Sequence, residues 1–156
     1  MRGVESILLA AWRTLWTGDA TIPALVPGGL WLDLAPENGA NGSPLATPYA
    51  EITIRPEEAQ YASGGFFLQT FTVETMVWSN AGPTDGGNIQ KAVGNVFDPP
   101  SGAALPTMLA AALTGGVKPI RVDQAPGKFE LDPSRAKSKD ILVAAAAWNV
   151  LLLIPR

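Results

Sequence analysis

Two of the side chains that carry most chemistry near neutral pH are missing: the 156 residues include no cysteine and no histidine. Without cysteine there is no disulfide, no thiolate nucleophile and no Cys-ligated zinc or iron–sulfur centre. Without histidine the chain lacks the group best suited to proton transfer at pH 7 and the commonest transition-metal ligand. Most hydrolase and metalloenzyme designs fall with these two absences, so the sequence is read as non-enzymatic, with no cofactor.

Charge is also scarce. Charged residues make up 16% of the chain and apolar ones 47%, against about 25% charged in an average globular protein. A surface short of charge suits a molecule partly covered by a partner. A large loop content explains the deficit equally well, because 16 glycines and 14 prolines supply neutral exposed surface. With 11 basic and 14 acidic residues the net charge is -3, so there is no broad cationic footprint for nucleic acid phosphates. Long hydrophobic runs are lacking too. The longest, residues 141–154, stays below the roughly 18 residues that a membrane-spanning helix needs. The start, MRGVESILLAAW, carries Glu5 and turns amphipathic, so no export signal is expected. The length suits one domain, residues 1–156, with one core.

Several stretches carry clear periodicity. Val4, Ile7, Leu8, Ala11, Trp12 and Leu15 recur at three- and four-residue intervals, which predicts an amphipathic helix over residues 3–16, ended near Gly18. Pro23 and Pro27 predict a loop after it. Residues 30–34 alternate as a short strand, and residues 36–48, with two Asn-Gly pairs and three prolines, read as a long mobile loop with little to bury. Over residues 49–55, Ala50, Ile52 and Ile54 share a face opposite Glu51, Thr53 and Arg55, with Pro56 expected to stop the strand. Residues 66–79 form the clearest strand, Phe67, Phe71, Val73 and Val77 lying opposite Thr70, Thr72 and Glu74.

Farther on, Ile89, Ala92, Val93, Val96 and Phe97 predict a second helix running to Asp98. Residues 105–114 suit a short third helix, and residues 117–124 and 128–131 suit strands around the Ala125-Pro126-Gly127 turn. The run 141–154 fits a buried helix or a central strand; a strand is expected, because the two main helices need a sheet to cover and the 66–79 strand needs a partner of matching length. The fold class is therefore α+β: a mostly antiparallel sheet of about four to five strands, with two main helices on one face.

Candidate chemistry is thin. The Gly-rich turn at 82–87 precedes a helix, as phosphate-binding loops do, but no Walker pattern is present and Asp85 at the cap position would repel an anion. A capped turn is the simpler reading, and a small anion-binding domain is the rival of another class. Glu57, Glu58 and Asp132 read as solvated charge, without paired-carboxylate or calcium-loop spacing. No metal site is expected. The basic cluster SRAKSK places Arg135, Lys137 and Lys139 in alternation; it suits a charged loop that discourages edge pairing, or a contact with DNA or an acidic neighbour. Of the five tryptophans, Trp12, Trp78 and Trp148 lie in periodic apolar segments and belong to a core. Trp16 and Trp31 are the ones expected at a subunit interface, together with Arg135, Lys137 and Lys139.

The element order resembles that of the bacteriophage tail-terminator and tail-completion proteins. The likeness covers most of the chain: the N-terminal helix, WLDLAPE with Ala35-Pro36-Glu37, Pro48-Tyr49 closing the loop, the FTVETMVWS strand ending at Val77-Trp78-Ser79, the helix GGNIQKAVGNVFD and the hydrophobic last strand. The loop at 36–48 and an insertion-like stretch at 98–116 depart from the family's pattern and are candidates for subunit contacts. The resemblance implies a structural virion protein that forms a homo-oligomeric, usually hexameric, ring. Such a ring caps the tail tube, contacts the tail-tube protein and the head-tail connector or stopper, lets DNA pass through, and engages no membrane. It implies residence in the virion neck, with the host cytoplasm as the place of assembly. Another neck component, a connector or stopper, is the alternative of the same class.

Overall fold

The computed structural model describes residues 2–33, 35–36, 38–39, 42–61, 64–79, 86–97, 105–125 and 141–156. Among them are four helices and five strands, in the order α1 (Arg2–Gly18), α2 (Thr21–Leu25), β1 (Leu30–Leu32), β2 (Tyr49–Tyr61), β3 (Phe66–Ser79), α3 (Gly86–Phe97), α4 (Leu105–Ala112), β4 (Lys118–Ala125) and β5 (Ile141–Pro155). The chain is an α+β protein. The strands form one sheet in the order β1-β2-β3-β5-β4. β1 runs parallel to β2, and every other pairing is antiparallel.

Strand β5 settles the ambiguous apolar run. It lies between β3 and β4, and its even-numbered residues from Ala144 to Ile154 are all buried. A strand with neighbours on both sides and packing on both faces reads as a continuous apolar run. Cross-strand rows place Ala50, Val77 and Ala144 on one face, followed by Ile52, Thr75 and Ala146, then Ile54, Val73 and Trp148. The helices cover this face. Leu8, Ala11, Trp12 and Trp16 of α1, Ile22 of α2, Ile89 and Val93 of α3, and Leu105 and Leu109 of α4 join the sheet residues in one buried cluster.

Two expectations need correction. Residues 21–25 form a helix rather than a loop. Pro23 is tolerated because the first helical turn has no use for its missing N–H, and the Asp19 carboxylate caps the turn by accepting from the Thr21 N–H at 2.8 Å and the Thr21 hydroxyl at 2.5 Å. Strand β2 does not stop at Pro56 but runs to Tyr61 through a register shift between Pro56 and Ala59. β1 pairs only with Ala50, Glu51 and Ile52, so Pro56 lies on an open edge, where no ladder partner asks for its N–H. In the loop at 36–48 no described residue is buried, as expected; half-buried Leu45 packs with Ala35 and Trp31 against Tyr49, Met76 and Trp78, on the face away from the helices. The expected strand at 128–131 and the turns at 82–85 and 126–127 lie outside the described residues.

Candidate interaction surface

The face opposite the helices begins as an ordinary solvent face. Its cross-strand rows carry Thr53, Glu74 and Ala147, then Arg55, Thr72, Asn149 and Asp123. Glu51 and Glu74 alternate outward, as their strands' period requires, yet both are buried. Each carboxylate has a polar partner. Glu51 accepts from the Ala35 N–H at 2.6 Å, which ties the segment after β1 to the sheet. Glu74, only 1% exposed, pairs with the Arg55 guanidinium. The Thr72 hydroxyl donates to Glu57 Oε1 at 3.0 Å, with Asn149 Oδ1 at 3.1 Å on its other side. A polar strip thus crosses the middle of the sheet.

Among the described residues both lateral edges of the sheet are open for most of their length. On one side, β2 is uncovered beyond Ile52. On the other, β4 is the last strand. Each carries the same set of guards. β2 has Pro56, a bulge between Pro56 and Ala59, and the exposed pair Glu57-Glu58. β4 has Pro119, a bulge between Pro119 and Arg121, and exposed Lys118, Arg121 and Asp123. Proline removes a donor, a bulge breaks the ladder and charge repels apolar strands, so neither edge suits backbone strand addition.

Two shallow grooves lie beside the β1 side of the sheet. One, of about 200 Å³, is lined by Glu5, Ser6 and Leu9 of α1 with Leu32, Asp33 and Ile54. The other, of about 220 Å³, lies among Arg13, Trp16, Thr17, Pro23, Pro27 and Leu30. Asp19, near the second groove, has its carboxyl held below the ordinary value, first by the Thr21 hydroxyl and then by the Thr21 N–H, both of which favour the anion.

Of the five residues expected at an interface, Trp16 is 3% exposed and belongs to the main core. It extends the 8–12–16 spacing of α1 and has little surface left for a partner. Trp31 is half-buried, donates from Nε1 to the Gly28 carbonyl at 2.7 Å and packs on the smaller cluster. Arg135, Lys137 and Lys139 lie outside the described residues, as does Asp132. Sequence reading passed over Leu32 and Ile120, which are 45% and 53% exposed. Their only signal was an aliphatic residue at a strand edge.

Among the described residues no group of three His, Cys, Asp or Glu side chains could hold a metal, and no helix is long and apolar enough to cross a membrane. Compared with known proteins, the sequence matches no family model and no curated protein.

Proposed function

We propose that this chain is a structural subunit that assembles with copies of itself, of the ring-forming tail-terminator or tail-completion type, capping a phage tail tube beneath the head connector. The observation that carries the proposal is the layering: the four described helices pack on one face of a five-stranded sheet, while the sheet's two sides present different surfaces. Unlike sides are what a head-to-tail ring requires, since each copy must offer one surface and receive another. The element order, with an N-terminal helix, a β2-β3 hairpin, a following helix and an apolar strand in the middle of the sheet, supports the same reading.

Molar mass in solution, with electron microscopy of the protein alone and beside purified tail tubes, tests it. Closed rings, free or seated on tube ends, are expected. A permanent monomer that leaves tube ends bare overturns the proposal.

A further inference from the structure

Ile120 sits in the β4 bulge, is 53% exposed, and has Lys118 and Arg121 beside it. At the opposite side of the same sheet, the groove between α1 and β1-β2 has an apolar floor of Leu9, Leu32 and Ile54 and carries the carboxylates Glu5 and Asp33. Leu32 in that floor is 45% exposed. An aliphatic knob flanked by cations and an aliphatic groove flanked by carboxylates are complementary in both shape class and charge. They cannot satisfy each other within one molecule, because β1 and β4 are the two outermost strands among the described residues.

We infer that Ile120 of one copy seats in the Leu9–Leu32–Ile54 groove of the next, with Lys118 and Arg121 facing Glu5 and Asp33. The occupant is a second copy of this chain. The inference rests on the self-assembly proposed above and names its contact. Burial of both exposed aliphatics removes apolar surface from water, and charges around the groove set partner orientation and encounter rate. Arg121 already pairs with Asp123 at 2.6 Å. That pair is solvent-exposed and holds Arg121 weakly, so a second carboxylate from a neighbour can share the guanidinium. A knob on one edge and a groove on the other make a heterologous contact, which closes into a ring when the rotation between copies is right and otherwise propagates. It also needs no backbone pairing, which the prolines and bulges of both edges oppose.

The absence of native cysteine makes a direct test possible. Leu32→Cys and Ile120→Cys are prepared as separate single variants, mixed and oxidised, and the cross-linked peptides are identified by mass spectrometry. A 32–120 disulfide between chains is expected in the mixture, with little product from either variant alone. The double variant L32C/I120C is expected to give a covalent ladder or a closed covalent ring. In parallel, Ile120→Asp weakens self-association by roughly tenfold or more, as removal of a central anchor does. Lys118→Glu and Glu5→Lys each weaken it alone and restore it together. Circular dichroism and melting of each variant separate lost contact from lost fold. Rings that form without any 32–120 link, or links only between like positions, overturn the contact while leaving the ring reading intact. A 32–120 link in open chains that never close supports the contact and removes the ring. A wild-type chain that does not associate, together with mixed cysteine variants that give no 32–120 link, overturns both.

Discussion

The side-chain amide of Gln90, on α3, pairs in both directions with the backbone of Ala145 on β5: its Nε2 donates to the Ala145 carbonyl at 3.0 Å and its Oε1 accepts from the Ala145 N–H at 2.9 Å. Among the described residues the ladder between β4 and β5 ends at Ala125 and Ala147, and Ala145 lies two residues farther along β5. Gln90 supplies there what the next residue of a strand would supply. Gln90→Ala removes both bonds and is expected to cost about 0.5–1.5 kcal/mol, the net worth of a hydrogen bond where water can replace the lost partner. In a chain of this size that lowers the melting temperature by roughly 2–4 °C per kcal/mol. Lys91→Ala, at an exposed position on the same helix, is expected to stay within about 0.5 kcal/mol of the parent. Thermal or urea unfolding checks both.

One substitution is expected to act with opposite sign at two glycines. A Cβ on Gly28 would lie 2.5 Å from the Tyr49 Cβ and closer still to the Ala46 carbonyl oxygen. Backbone cannot yield as a flexible side chain does, so Gly28→Ala is expected to destabilise by about 2 kcal/mol or more. At Gly94, within α3, nothing lies within 4 Å of the added atom. Gly94→Ala is therefore expected to stabilise by about 0.5–1 kcal/mol through helix propensity. Denaturant midpoints of the two variants decide it.

The Arg55–Glu74 pair joins β2 to β3 with one partner buried and the other about a third exposed. Removing the guanidinium leaves a carboxylate inside the protein, so Arg55→Ala is expected to cost about 1–3 kcal/mol, below the full penalty for a wholly buried pair because water still reaches Arg55. A double-mutant cycle with Glu74→Gln is expected to return a coupling of about 0.5–3 kcal/mol. Additive effects would show that the pair contributes nothing as a pair.

Asp19 makes a pH-dependent contribution. Its folded carboxyl titrates below the ordinary value because it accepts from Thr21. The stabilisation is thus present above the unfolded pKa, near 4, and is lost as pH falls through the depressed folded value. Asp19→Ala is expected to cost about 0.5–1 kcal/mol at pH 7, the low end for a cap because the site is open to solvent. The gap between parent and variant should close in urea titrations carried out progressively below pH 4. A gap that persists there would mean that Asp19 acts through something other than its charge.

Local periodicity carried much of this architecture. The three-and-four spacing of Val4 to Leu15 marks α1, and the two-residue alternation of β3 marks which residues face the helices, because those periods belong to the backbone itself. The assignment of residues 141–154 to a strand came from a different argument, the need of two amphipathic helices for a sheet. Trp16 is buried because it continues the 8–12–16 spacing of α1 by one more step. Leu32 and Ile120 were invisible as a pair, since they lie far apart in sequence and carry no motif.

The sequence alone, then, determined the identity of most elements, the faces they turn toward one another and the exclusion of Cys- and His-based chemistry. Tertiary structure decided what depends on neighbours. β2 passes Pro56 because β1 is too short to demand its N–H, and Glu51 and Glu74 are buried because other segments bring them polar partners. Leu32 and Ile120 stand at opposite sides of the molecule because the strand order places β1 and β4 outermost. Propensity and periodicity act over a few residues, whereas edge, burial and complementarity are set by pairings between residues far apart in the chain.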